Sequence, residues 1–118
     1  MYEKNLKLLA KKNKSMAVKL DNLENKKNDF NLINSKNVTL EVYIDDSKKL
    51  VHSKYRPQSQ AKKRINTMDL KRHNLIGIAG IGCGYYIEEM LKKIENVSRF
   101  IIFENRLDIL KEVMKNRD

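Results

Sequence analysis

Three of the four glycines alternate at Gly80, Gly82 and Gly84, directly after the short apolar run 75–79. Glycines so spaced after a strand let the backbone turn tightly and approach a ligand with no Cβ in the way. A helix that follows offers unpaired N–H groups and the positive end of its dipole to an anionic group. Glu104 closes the next apolar run, 20 positions after Gly84. A carboxylate at the end of that strand can accept hydrogen bonds from ribose hydroxyls. Strand, glycine loop, helix, strand and terminal acid together predict a site for an adenosine- or nucleotide-like ligand, with Gly80, Gly82, Gly84, Tyr85 and Glu104 as contacts. The competing reading is that the glycines only make a tight strand-to-helix turn.

A second cluster of functional groups precedes the only proline. His52, Ser53, Tyr55 and Arg56 crowd into a strand-to-helix loop ahead of Pro57, and loops of this kind are where sites are built. Ser53 and Tyr55 could equally do no more than satisfy backbone groups there. Catalytic residues are not expected: His52 and His73 lie in different contexts, and there is no nucleophile elbow. Asp45-Asp46 lacks the alternating acids of a calcium loop. Cys83 is the one cysteine, which excludes an internal disulfide and a multi-cysteine zinc site; its place inside the glycine loop calls for a small side chain more than for a nucleophile. No metal ligands are assigned.

These groups need elements to hold them, and hydrophobic spacing supplies a set. Leu6, Leu9, Met16, Leu20 and Leu23 predict one amphipathic helix from residue 2 to about 25, ended by Asn22, Asn25, Lys26-Lys27 and Asn28. Val38, Leu40, Val42 and Ile44 alternate with Thr39, Glu41 and Tyr43, a half-buried strand. A four- or five-residue connection at Asp45–Lys48 then leads into a return strand from Lys49 to His52, and a short strand at 30–33 precedes the pair. Pro57 starts a helix, with Ala61, Ile65 and Met68 inward and Gln58, Lys62 and Lys63 outward. After a polar connection at 69–74, residues 75–79 form a buried parallel strand. Tyr86, Ile87, Met90, Leu91 and Ile94 mark the inner face of the next helix, with Glu88-Glu89 outward. Residues 97–103 form a second buried strand, and Leu107, Leu110 and Met114 the inner face of a last helix. The expected fold class is α/β with an α+β N-terminal part: helix, β-hairpin and helix over 1–72, then a partial Rossmann-like βαβα unit over 73–118, in one compact domain. A two-strand parallel pair is a poor stand-alone sheet, so it should pair with the hairpin strands or associate with another copy.

At 118 residues the chain falls within one domain. It has no run long enough for a transmembrane helix and no secretory signal pattern at its N-terminus, which predicts a cytoplasmic protein. The net charge of +10 comes from lysines scattered through every segment. A nucleic-acid surface would cluster its bases on one element, so nucleic acid is not the expected partner, although a weak attraction to phosphates follows from the charge.

The loop spacing departs from the dinucleotide fingerprint, since the third glycine comes two residues after the second and not three. It resembles the Gly-x-Gly-x-Gly loop of S-adenosylmethionine-binding Rossmann-like domains. Taken in order, Leu50-Val51-His52-Ser53-Lys54-Tyr55-Arg56-Pro57 with Ala61, Gly80-Ile81-Gly82-Cys83-Gly84-Tyr85-Tyr86-Ile87, and Ile101-Ile102-Phe103-Glu104-Asn105 resemble the N-terminal portion of the motility accessory factor family. That family consists of flagellin glycosyltransferases whose central domain is 6-hydroxymethylpterin diphosphokinase-like. The resemblance spans about Leu6 to Met114. It departs at Val51, where the family has leucine, at Arg56, where an acid is common, and at Asn105, where proline is common. It implies a non-catalytic N-terminal domain or truncated member, whose partners are a second copy or the remainder of a longer transferase. The ligand it implies is a nucleotide sugar. The loop spacing alone leaves S-adenosylmethionine or another nucleotide open, as in a methyltransferase-like module.

Overall fold

The computed structural model describes residues 1–24, 29–70, 75–94 and 99–118. In chain order the elements are α1 (Tyr2–Lys12), α2 (Lys14–Asp21), β1 (Phe30–Asn34), β2 (Val38–Ile44), β3 (Ser47–Leu50), α3 (Pro57–Asn66), β4 (Leu75–Ala79), α4 (Tyr85–Lys93), β5 (Arg99–Phe103) and α5 (Leu107–Asn116). The fold is mixed α/β. An antiparallel three-stranded sheet runs in the order β1-β2-β3, and β4 pairs with β5 in parallel. The second half is therefore the expected partial Rossmann-like unit, behind an α+β first half. Among the described residues the two sheets do not join.

The expected single N-terminal helix is broken in two at Asn13. This residue leaves helical geometry at φ −149° and ψ 84°, and its side chain accepts the N–H of Met16 at 3.0 Å to cap α2. Asparagine competes for backbone groups in this way and favours the cap over the helix interior. The asparagines and lysines at 25–28, read as the end of that helix, lie outside the described residues, as do most of the polar connection (71–74) and the start of the last strand (97–98).

The hairpin connection is shorter than its sequence suggested. Ile44 pairs with Ser47, leaving a two-residue loop in which Asp45 and Asp46 both have positive φ, 49° and 59°. That is a type I′ turn, whose twist matches that of the flanking strands, and aspartate tolerates it. The return strand consequently starts at Ser47 and ends at Leu50, freeing His52 from the ladder.

Two adjoining clusters make the core. Leu40, Ala61, Cys83, Tyr85, Ile109 and Val113 form one, and Ile65, Leu70, Ile78 and Met90 the other, with Tyr86 packed against both. Several inner faces differ from the expected ones. In α5 the buried pair is Ile109 and Val113, because the face turned to the protein is set by α1, α2 and β1, which pack against it. Leu107, Leu110 and Met114 are half-buried instead. On α1, Asn5 donates to the carbonyls of Met114 and Arg117 and seats that helix on the end of α5. In α4, Glu89 is buried and paired with Lys92 rather than outward, while Leu91 is exposed. Met68 is exposed as well, whereas Ala61 and Ile65 are buried as expected.

The strands β4 and β5 were both expected to be buried. β4 is covered on one face only, and β5 still less, since Ile102, on the same face as Phe100, is 43% exposed. Ile76, Ile78 and Phe100 pack under α4 and α3, but Leu75, Gly77, Ala79, Ile101 and Phe103 are exposed on the other face, with Phe103 at 63%. Nothing among the described residues lies over that side.

Candidate functional site

The two sequence motifs meet in space. Just past β3, Val51 donates its N–H to Leu40, and the hydroxyl of Thr39 donates to the carbonyl of His52 at 2.8 Å. These bonds hold the chain against β2 and turn the His52 side chain inward, where the residue is 2% exposed. Its Nε2 accepts the backbone N–H of Cys83 at 2.9 Å, across 31 positions of sequence. An acceptor nitrogen carries no proton, so the ring is neutral with its hydrogen on Nδ1. Burial, and then the positive charge of Arg117, hold the His52 pKa below the ordinary histidine value. Nδ1 is buried without a hydrogen-bond partner. The ring meets Tyr85 edge-on at 5.2 Å and Tyr86 at a tilt.

This contact explains one of the glycines. Gly82 has φ +55°, and a Cβ there would stand 2.5 Å from His52 Nε2. Gly84, with φ +84°, begins α4 and faces Arg117, whose Nη1 would lie 3.3 Å from an added Cβ. Gly80 also has positive φ, +79°, yet an added Cβ would meet nothing within 4 Å. Two of the three glycines thus serve contacts inside the protein, and at Gly80 alone of the three an added Cβ would meet no neighbour.

The loop amides are largely spoken for. Gly80 donates to the carbonyl of Phe103 at 2.8 Å, which extends the β4–β5 ladder, and Gly84 donates to Ile81. Ile81 donates to Glu104 Oε2 at 2.8 Å, and Arg106 donates its N–H to Glu104 Oε1 at the same distance. The carboxylate expected to hold a ribose therefore holds the loop instead. Arg106 in turn pairs with Asp29 and Asp108 and lies over the ring of Phe30. Its hydrogen bonds keep the Asp108 carboxyl below the usual carboxylate range.

Tyr85, expected as a ligand contact, is a core residue. It is 2% exposed, and its hydroxyl donates to the carbonyl of Val38 at 2.7 Å, tying α4 to β2. Arg117 stacks its guanidinium 3.7 Å from the centre of the same ring, donates to the carbonyl of Cys83 and pairs with Glu88. Nothing in the sequence pattern pointed to Arg117, because a basic residue near the chain's end has no periodic signature. Burial pushes the Cys83 thiol up to about 11, so it stays protonated at neutral pH and is a poor nucleophile.

Of the second cluster only His52 reaches the glycine loop. Ser53 builds the start of α3: its Oγ accepts the N–H of Arg56, and its own N–H goes to Gln60. Arg56 is the N-terminal flanking residue of α3 and is exposed, and Tyr55 is 81% exposed. Satisfaction of local backbone groups accounts for Ser53.

Two hollows flank the loop. One, of about 330 Å³, lies on the Glu104 side beside Gly82, Leu40, Val42 and Arg106. The larger, of about 720 Å³, lies between α3 and the β4–α4 turn and is reached by Gly80 but not by Gly82, Gly84 or Glu104. Among the described residues no three His, Cys, Asp or Glu side chains converge to hold a metal ion, and no helix is long and apolar enough to cross a membrane. The chain matches no family model, no curated protein and no solved structure.

Proposed function

We propose that this chain acts as a non-catalytic N-terminal domain, or truncated member, of the motility accessory factor type, a cytoplasmic protein of flagellin glycosylation. The observation that carries the reading is the hydrogen bond from Cys83 to His52. The two stretches that bear the resemblance are 31 positions apart in sequence, yet they form one junction. Each departure from the family's motif falls outside that bond: Val51, Arg56 and Asn105 are all exposed. The uncovered apolar face of β4–β5 is in keeping with a partner that covers it, either a second copy or the remainder of a longer transferase.

Disruption of the gene in a flagellated host tests the proposal. The expected result is flagellin of lower mass, lacking its sugars, together with impaired swimming. Flagellin of unchanged mass would overturn the reading, and sugar transfer by the purified chain alone would overturn its non-catalytic part. Light scattering on the purified chain addresses the sheet partner: a dimer supports a second copy, and a monomer at high concentration counts against it.

A second reading is a nucleotide- or S-adenosylmethionine-binding module. It draws its support from Gly80, which has positive φ and opens onto the larger hollow. Against its usual form stands Glu104, whose two oxygens already accept backbone N–H groups.

A further inference from the structure

The larger hollow has a two-part chemistry. Its floor is apolar, made by Ile65, Ile78, Met90, Met68 and the ring of Tyr86. One wall is the flank of α3 that carries Gln60, Lys63, Arg64 and Thr67. These follow the i, i+3, i+4, i+7 spacing that puts side chains on one helix face. Among the described residues no acidic side chain lines the hollow. Neither Lys63 nor Arg64 takes part in an ion pair among the described residues. The hollow opens at the C-terminal end of β4, where Gly80 lets a ligand approach the backbone. That end of a parallel strand is where α/β sheets take their ligands, and a volume of about 720 Å³ is within the range of small-molecule sites.

We infer that this hollow, and not the Glu104 side of the glycine loop, is a binding site for a nucleoside diphosphate. The inference rests on the nucleotide-binding reading and moves the ligand to the opposite side of the loop. The base and sugar lie on the apolar floor against Tyr86, and the two phosphates meet Lys63 and Arg64. The guanidinium supplies a planar pair of donors and the ammonium a point charge, both suited to phosphate oxygens. The net charge of +10 adds a general attraction for such an anion. The loop amides are left to the protein, because His52, Glu104 and the carbonyls of Phe103 and Ile81 already take four of them.

Calorimetric titration of the full chain with ADP and UDP at low salt tests this, with pyrophosphate and uridine as the separate halves. The expected result is binding of at least one diphosphate, with each half at least tenfold weaker. A Lys63→Ala/Arg64→Ala double variant should weaken binding at least tenfold. Lys48→Ala/Lys49→Ala, which removes the same charge from the hairpin, should leave it within twofold. Equal losses in both double variants would reduce the effect to general electrostatics and overturn the inference. Binding that survives the α3 substitutions but is lost in Glu104→Gln would also overturn it, while leaving a nucleotide on the glycine loop. No binding of either nucleotide by a chain that circular dichroism shows to be folded would end both.

Discussion

The two sides of one glycine loop have opposite fates. On the inner side, Gly82 and Gly84 admit His52 and Arg117, and the amides of Ile81 and Cys83 are bonded to Glu104 and His52. On the outer side, Gly80 borders the larger hollow, with Lys63 and Arg64 on its wall, neither in an ion pair among the described residues. The same residue type, in the same left-handed region of backbone space, is a packing device at one position and a point of ligand access two residues earlier. A glycine motif therefore identifies a backbone shape, and the surroundings decide what approaches it.

The largest effect expected from this contrast is at Gly82. Gly82→Ala places a methyl on His52 Nε2 in addition to straining a backbone at φ +55°. It should destabilise the chain by about 3 kcal/mol or more, measured by urea unfolding. In a His52→Ala background the clash is gone, so the same substitution should cost about 1–2 kcal/mol, the backbone strain alone. Equal costs in the two backgrounds would break the account of the inner side.

His52 comes next. His52→Ala leaves a cavity and strips Cys83 N–H of its acceptor, for a loss of about 2–4 kcal/mol. The bond also sets a pH dependence. The folded state holds the imidazole neutral, with its pKa below the ordinary value of 6.5. The unfolded chain therefore binds the proton more readily. The stability is fully present above the ordinary value and is lost as pH falls through it toward the folded-state value. Urea midpoints between pH 8 and pH 5 should decline in the wild type and be flatter in His52→Ala; parallel slopes would show that another group is responsible.

The smallest effect belongs to Gly80. Gly80→Ala meets no atom, so only its φ of +79° is strained, and about 1 kcal/mol is expected. A loss as large as that at Gly82 would mean that the outer side is no more open than the inner one.

Much of the frame was legible in the sequence. The period-two run at Val38–Ile44, the apolar runs at 75–79 and 97–103, Pro57 and the glycine turn each declare an element through local backbone preference. The misses have local reasons too. The break at Asn13 lies in one side chain's hydrogen bond to Met16, which hydrophobic spacing does not register. The tight turn at Asp45-Asp46 lacks the glycine that usually signals it. The site was less legible. Tyr85 and Glu104 have the right types in the right places for a ligand, but their hydrogen bonds go to Val38, Ile81 and Arg106. Lys63 was read only as outward-facing and Arg64 was one of 25 basic residues, because a charge becomes a site only when a hollow forms beside it.

By itself, then, the sequence determined the mixed α/β class, the strand–loop–helix unit and the need for glycine at positions 80, 82 and 84. Each of these follows from side-chain periodicity and from allowed φ and ψ, which are properties of short stretches. Only the tertiary structure decided that His52 lies against Gly82, that Arg117 returns to cap the loop, and which side of the turn keeps the larger hollow. Those outcomes join residues tens of positions apart, and they depend on which groups compete for the same few backbone amides.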